Sequence, residues 1–200
     1  MNTPFHQPTF LYARIKKKDK EYMGLSRKLI LVINGKGGCG KDTICNIVAK
    51  RYKTINISEI TPIKEIASVG GWKGEKTDKA RKFLADLKAL FVDYNNLPYE
   101  YALGYIKDFI NDENEILFIH AREPEEIAKL VKGSPYKVNT ILIRREDKLF
   151  TSKRHYGNHA DDDVENYPYD FIYEGHNDSE EALEKDFMDY FENNLLKNLD

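Results

Sequence analysis

Cysteine is scarce in this sequence, and long apolar runs are missing. Only Cys39 and Cys45 occur among 200 residues, at a spacing that resembles no metal-binding motif, so we expect no disulfide framework. No stretch approaches the roughly 20 apolar residues that span a membrane, and charges are frequent near the start of the chain. The composition therefore favours a cytoplasmic protein with no membrane partner.

A strong net charge is also missing. The formal net charge is −2, from 31 Lys and Arg residues against 33 Asp and Glu residues, which gives no general reason to bind nucleic acid. The charge is uneven, because residues 1–28 hold seven Lys or Arg and only two Asp or Glu. We interpret residues 1–28 as a basic N-terminal extension, more simply explained as a solvated segment than as an arm that seeks RNA or a partner.

What the sequence does contain is a glycine-rich loop that ends in lysine. Residues 35–41 have the spacing G-x-x-x-x-G-K, between an apolar β-branched run and a segment with helical periodicity. Glycines allow backbone N–H groups to face phosphate oxygens, and the following helix adds a positive N-terminus. The loop predicts nucleoside triphosphate binding by Gly35, Lys36, Gly37, Gly38, Cys39, Gly40, Lys41, Asp42 and Thr43.

Strand-like and helical segments alternate along the rest of the chain. Strands are predicted at residues 29–32, 54–58, 115–120, 138–144 and 169–173, with helices between them. This order implies an α/β fold whose parallel sheet is covered on both faces. Apolar residues recur at helical spacing in 80–94 and 101–110, and we expect both stripes to face the core.

Two families share features with the glycine-rich loop. Residues 36–41 resemble the deviant Walker motif of partitioning and nitrogenase-iron-protein ATPases, in which an early lysine, here Lys36, reaches a partner's nucleotide. The aspartates that this family carries after its second and Walker B strands are missing here. The better resemblance is to nucleoside monophosphate kinases, and among them to deoxynucleoside monophosphate kinases, many of which have G-K-D-T in the loop. Four more stretches agree in order: SEITPIKEIA, KARKFLADL, AREPEEI and YPYDFIYEGHNDSEEALEK.

The resemblance implies a three-layer α/β/α P-loop fold with a five-stranded parallel sheet, similar to adenylate kinase, over residues 29–200. It also implies a monophosphate-binding helical segment at about 58–112 and a lid at about 145–167. ATP would be the donor with Mg²⁺ as cofactor, and a (deoxy)nucleoside monophosphate would be the acceptor. Open alternatives are a kinase of another small phosphorylated metabolite, a dimeric deviant-Walker ATPase and a nucleotide-binding regulatory protein. The chain would be a monomer or a homodimer.

Roles for single residues follow from the same resemblance. His120 stands where the family usually has an aspartate at the end of the Walker B strand, so its part in magnesium handling is open. Arg144, Lys153 and Arg154 flank or lie in the predicted lid together with Arg145. The expected sites are catalytic Lys41, Arg122 and Arg145; substrate-binding Lys64, Trp72, Arg81 and Arg122; and metal-binding Asp42 and Thr43.

Overall fold

Five short apolar runs form the strands of the protein. The computed structural model describes residues 28–145, 163–175 and 179–198. The strands are β1 (Leu29–Asn34), β2 (Thr54–Ser58), β3 (Ile116–His120), β4 (Val138–Arg145) and β5 (Phe171–Gly175). The helices are α1 (Lys41–Val48), α2 (Thr61–Val69), α3 (Asp78–Asn95), α4 (Leu97–Phe109), α5 (Pro124–Gly133) and α6 (Glu180–Tyr190). Short turns follow at Phe191–Leu195 and Leu196–Asn198, and a 3-10 turn at Val164–Asn166 precedes β5.

All strand pairs are parallel, and the sheet order is β2-β3-β1-β4-β5. Strand β1 lies in the centre, with Leu29 opposite Ile116 of β3 and Ile30 opposite Val138 of β4. The five-stranded parallel sheet expected from the sequence is confirmed. Its carboxyl ends lie at one edge, where the loops after β1, β2 and β3 meet.

Helices cover both faces of the sheet. Side chains of β1 alternate between two apolar clusters, one shared with α1 and α6 and the other shared with α4 and α5. The central strands are therefore buried on both sides, which explains why β1 reads as an uninterrupted apolar run. Together with the phosphate loop between β1 and α1, this arrangement is a three-layer α/β/α P-loop fold.

Helix α3 departs from the expectation for its apolar stripe. Leu90 is 66% exposed and Tyr94 is 81% exposed, whereas Lys88 is the buried residue of this helix. The reason is that α3 packs mainly on the helices α2 and α4 rather than directly on the sheet. The second stripe is confirmed, because α4 buries Ala102 and Ile106 against the sheet.

Several sequence predictions concern segments that the structure leaves undescribed. Residues 1–27 of the basic extension and residues 146–162 of the predicted lid, with Lys153 and Arg154, lie outside the described residues. Within the ranges 28–145, 163–175 and 179–198, no helix is both long enough and apolar enough to cross a membrane.

Candidate functional site

The predicted donor and acceptor residues follow strands that end at the same edge of the sheet. The phosphate loop follows Asn34 of β1, Glu59 and α2 follow β2, and Arg122 comes two residues after the end of β3 at His120. Carboxyl ends of neighbouring parallel strands are the usual place for ligand sites in α/β sheets. The fold therefore brings the two halves of the predicted site to one place.

The phosphate loop needs glycine at three positions. A Cβ on Gly35 would collide with the Ile143 carbonyl oxygen and would lie 2.6 Å from Cys39 Sγ. Gly38 and Gly40 have φ angles of 82° and 92°, in the left-handed region that favours glycine. Gly40 directly precedes α1, so the turn delivers the chain into the helix N-terminus, where free N–H groups favour an anion.

Lys41 places its charge over this loop. Its Nζ donates to the carbonyl oxygen of Gly35 at 2.6 Å and to that of Lys36 at 3.1 Å. An ammonium group above a glycine-rich turn, next to a helix N-terminus, suits a phosphate ligand. Burial raises the pKa of the Cys39 thiol more than Lys41 lowers it, which favours the protonated thiol.

His120 lies at the centre of the predicted charged residues. Its pKa is lowered to about 4, mainly by burial and further by the positive charges of Lys41, Arg122 and Lys64, whereas Asp42 acts in the opposite direction. The imidazole is therefore neutral at neutral pH. Asp42 Oδ1 lies 3.8 Å from His120 Nε2, and Lys41, Lys64 and Arg122 follow β1, β2 and β3 at this same carboxyl edge.

Asp42 offers a carboxylate for a metal ion. It lies in the first turn of α1, its side chain is 91% exposed, and its Oδ1 is 3.8 Å from His120 Nε2. Thr43 follows in the same turn and is partly exposed. In the described part of the chain, no group of three or more His, Cys, Asp or Glu side chains could hold a metal ion. One carboxylate beside a phosphate loop nevertheless fits Mg²⁺, which takes one or two protein ligands together with substrate phosphates and water.

A buried ion cluster holds the acceptor side together, and the sequence analysis missed it. Lys88 Nζ lies 2.9 Å from Glu59 Oε1 and 2.6 Å from Glu123 Oε2. Burial raises the pKa of Glu59 to about 7, with Lys88 lowering it and Glu123 raising it. Burial also acts to raise the pKa of Glu123, but Lys88 outweighs this effect and lowers it. The three residues join the ends of β2 and β3 to α3.

Arg81 and Trp72 belong to the same helical segment. Arg81 precedes Lys88 by seven residues on α3, so the two side chains share one face of the helix, and Arg81 is partly buried. Trp72 donates its Nε1–H to the Glu75 carbonyl oxygen at 3.3 Å within its own loop. A substrate-binding role for either residue stays a prediction.

The two arginines that end β4 differ in their surroundings. Arg144 is held by two carboxylates, with Nη2 2.6 Å from Glu165 Oε2 and Nη1 2.8 Å from Glu174 Oε1. These hydrogen bonds raise the pKa of Arg144 further. Arg145 is the last residue of β4, and its side chain lies outside the described residues. The catalytic role expected for Arg145 stays a prediction.

Asn34 is a second residue that the sequence analysis missed. Its side chain is fully buried at the end of β1 and makes three hydrogen bonds. Oδ1 accepts from the Gly35 N–H at 2.8 Å, and Nδ2 donates to the Arg122 carbonyl oxygen at 3.0 Å and to the Tyr169 hydroxyl at 2.7 Å. One asparagine before a glycine-rich loop carries no sequence signal for these partners, which lie 88 and 135 positions away.

No protein-family model matches the sequence, and a search of curated proteins finds no relative. Among solved structures, the chain is similar to shikimate kinase from Aquifex aeolicus vf5, with 14% identity, a TM-score of 0.47, and coverage of 84% of this chain and 99% of that chain. It is also similar to thymidylate kinase from Ehrlichia chaffeensis, with 14% identity, a TM-score of 0.45, and coverage of 82% and 99%. A gluconokinase from Sinorhizobium meliloti 1021 shows 14% identity, a TM-score of 0.42, and coverage of 86% and 97%. These values are low, so the fold assignment rests on strand order and the phosphate loop.

Proposed function

We propose that the protein is an ATP- and Mg²⁺-dependent kinase that phosphorylates a (deoxy)nucleoside monophosphate. The observation that carries this proposal is the position of Lys41, Lys64 and Arg122, in the segments that follow β1, β2 and β3 at the carboxyl edge of the sheet. One cation belongs to the triphosphate loop and the other two belong to the segments after β2 and β3. This division suits a donor phosphate on one side and an acceptor phosphate on the other.

On the donor side, the backbone N–H groups of the loop and the Lys41 ammonium would bind the β- and γ-phosphates. Asp42 and Thr43 would hold Mg²⁺, which neutralises phosphate charge when it is bound. Neutral His120 lies next to Asp42 and adds no second negative charge to the metal site. The donor charge would thus be neutralised by Lys41 and by Mg²⁺, which one carboxylate would hold.

On the acceptor side, Lys64 in the first turns of α2 and Arg122 after β3 would bind the acceptor phosphate, with Arg81 as a third cation. An acceptor phosphate oxygen attacks the γ-phosphorus, and the bond from that phosphorus to the bridging oxygen of ADP breaks. ADP leaves with the electron pair. The attacking oxygen is already anionic, so positioning and charge neutralisation are sufficient and no general base is required. Arg145 would neutralise the transferring group.

The alternative functions would depend on different residues. A kinase of another small phosphorylated metabolite would bind its acceptor with the same cations. The residues therefore fit this alternative as well as a nucleoside monophosphate kinase. A deviant-Walker ATPase would depend on Lys36, which is exposed and lies outside the cations that act on His120. A regulatory protein that binds RNA would depend on residues 1–27, outside the described residues.

The decisive experiment is a coupled assay of ADP release with ATP and Mg²⁺ over all ribo- and deoxynucleoside monophosphates. We expect one or a few monophosphates to raise ADP release well above the acceptor-free rate. A panel of sugar phosphates and other phosphorylated metabolites tests the nearest alternative in the same assay. If no monophosphate raises ADP release, the proposed function is wrong.

A further inference from the structure

We propose that Asn34 is a positioning residue, which sets the place of Arg122 relative to the phosphate loop and so aligns acceptor with donor. The inference rests on the proposed function for its kinetic consequence but on the hydrogen bonds for its geometry. Asn34 is fully buried, so its side chain cannot touch a substrate. Its effect on a reaction must pass through the backbone groups that it binds, those of Gly35 and Arg122.

Only a primary amide meets the demands of this position. The Gly35 N–H requires an acceptor, while the Arg122 carbonyl and the Tyr169 hydroxyl both take hydrogens from Nδ2. A carboxylate offers acceptors alone, and an aliphatic side chain offers neither. Tyr169 in turn donates to the Val164 carbonyl oxygen at 2.9 Å, so the chain of hydrogen bonds is complete. A buried group with every polar atom satisfied holds one geometry rather than several.

The geometry matters because phosphoryl transfer depends on placement. Strand β1, which ends at Asn34, is paired with β3, and Arg122 follows the end of β3. The Asn34 amide is therefore a direct brace between the donor loop and the loop that carries the acceptor cation. A displacement of about 1 Å between reacting groups can cost roughly 100-fold in rate. Loss of the brace should reduce kcat more than it changes either substrate's KM.

The test is Asn34→Asp, which keeps the shape and the acceptor for Gly35 but removes both donors. We expect kcat to fall roughly 10- to 100-fold, with KM for ATP and for the acceptor changed less than about threefold. Urea denaturation of the same preparations separates this kinetic loss from a loss of stability.

The same variant makes a prediction about pH. Burial raises the pKa of the introduced carboxyl, so activity relative to wild type should recover as pH falls and the carboxyl can donate to the Arg122 carbonyl again. Each rate is compared with that of wild type at the same pH, so the pH dependence that Glu59, with its pKa raised to about 7, gives to both proteins cancels.

Two further variants serve as controls. Asn139→Asp makes the same chemical change at a buried position of β4, where the side chain is 7% exposed. It should lower stability without a selective loss of kcat and without recovery at low pH. Tyr169→Phe removes one acceptor of Nδ2 but leaves Asn34 bonded to Gly35 and Arg122. It should lower kcat less than about threefold.

Several outcomes overturn the proposal. These are an unchanged kcat in Asn34→Asp, a loss without recovery at low pH, or a loss in Tyr169→Phe as large as that in Asn34→Asp. A wild-type protein that phosphorylates no acceptor contradicts the proposed function alone. The brace is then tested through the carbonyl carbon resonance of selectively labelled Arg122, which should shift in Asn34→Asp and return toward the wild-type value as pH falls. An unshifted resonance refutes the brace.

Discussion

On the donor side of the candidate site, Lys41 is held by carbonyl oxygens six and five positions earlier in the chain, those of Gly35 and Lys36. On the acceptor side, Lys88 binds Glu59, 29 positions earlier, and Glu123, 35 positions later. The first lysine completes a loop whose shape comes from local backbone conformation. The second lysine joins three separate elements through buried charge, so its loss should damage structure as well as function.

The largest effect is expected from Lys88→Met. Removing the cation leaves the buried Glu59 carboxyl and the half-buried Glu123 carboxyl without Lys88, and breaking a buried ion pair such as Lys88–Glu59 costs about 3–5 kcal/mol of the free energy of unfolding. The ends of β2 and β3 would also lose their link to α3, so the acceptor KM should rise more than the ATP KM. Urea denaturation and steady-state kinetics measure the two effects.

Lys82→Met is the matched control on the same helix. Lys82 forms an exposed ion pair with Asp86, with Nζ 2.7 Å from Oδ2. Such pairs contribute only about 0.3–0.5 kcal/mol, so stability and both KM values should stay close to wild type. Equal destabilisation by the two substitutions would mean that the buried cluster has no special part in holding α3.

Lys41→Met should have the opposite effect to Lys88→Met, with a large loss of activity and little loss of stability. The variant removes a cation from the donor loop but leaves no carboxylate unpaired, so we expect kcat to fall roughly 100- to 1,000-fold with little change in urea stability. Lys36→Ala should lower turnover less than about tenfold, because Lys36 is exposed, whereas Lys41 Nζ binds the carbonyl oxygens of the loop. If Lys36→Ala abolishes turnover while nucleotide still binds, the dimeric deviant-Walker ATPase becomes the better function.

Lys64→Ala should weaken binding of the acceptor but not binding of ATP. Lys64 lies in the first turns of α2, among the cations that lower the pKa of His120. We expect the acceptor KM to rise on the order of tenfold, with the ATP KM nearly unchanged. Lys107→Ala is the control, because Lys107 is exposed in the last turn of α4 and precedes β3, remote from the carboxyl edge. Equal changes in both KM values for Lys64→Ala would contradict an acceptor role.

The same contrast explains what could be predicted from the sequence. The alternation of strands and helices and the glycine-rich loop are encoded by local periodicity and by backbone conformations that only glycine adopts easily, so both were predicted. Lys88 was not, because helical periodicity identifies apolar faces and says nothing of carboxylates that arrive from other elements. For the same reason, Leu90 and Tyr94 were expected to face the core but are exposed. Asn34 also depends on partners that only the folded sheet brings together.

The smallest expected effect is a pH dependence of stability that arises from Glu59. Its pKa is raised from 4.5 to about 7 in the folded protein, so the folded state binds this proton more tightly than the unfolded chain does. The free energy of unfolding should therefore fall as pH rises from about 4.5 to 7. Glu123, whose pKa is lowered, acts in a more acidic range and in the opposite direction.

Glu59→Gln imitates the protonated carboxyl and should remove this decline while leaving stability near pH 5 close to wild type. Urea denaturation at a series of pH values measures it, with Glu113→Gln as the control, because Glu113 forms an exposed ion pair with Lys53. An unchanged decline in Glu59→Gln would show that the proton is held elsewhere in the cluster. The donor loop should keep its shape across this pH range. The acceptor side should loosen as the pH rises, because Glu59 becomes a second negative charge beside Lys88.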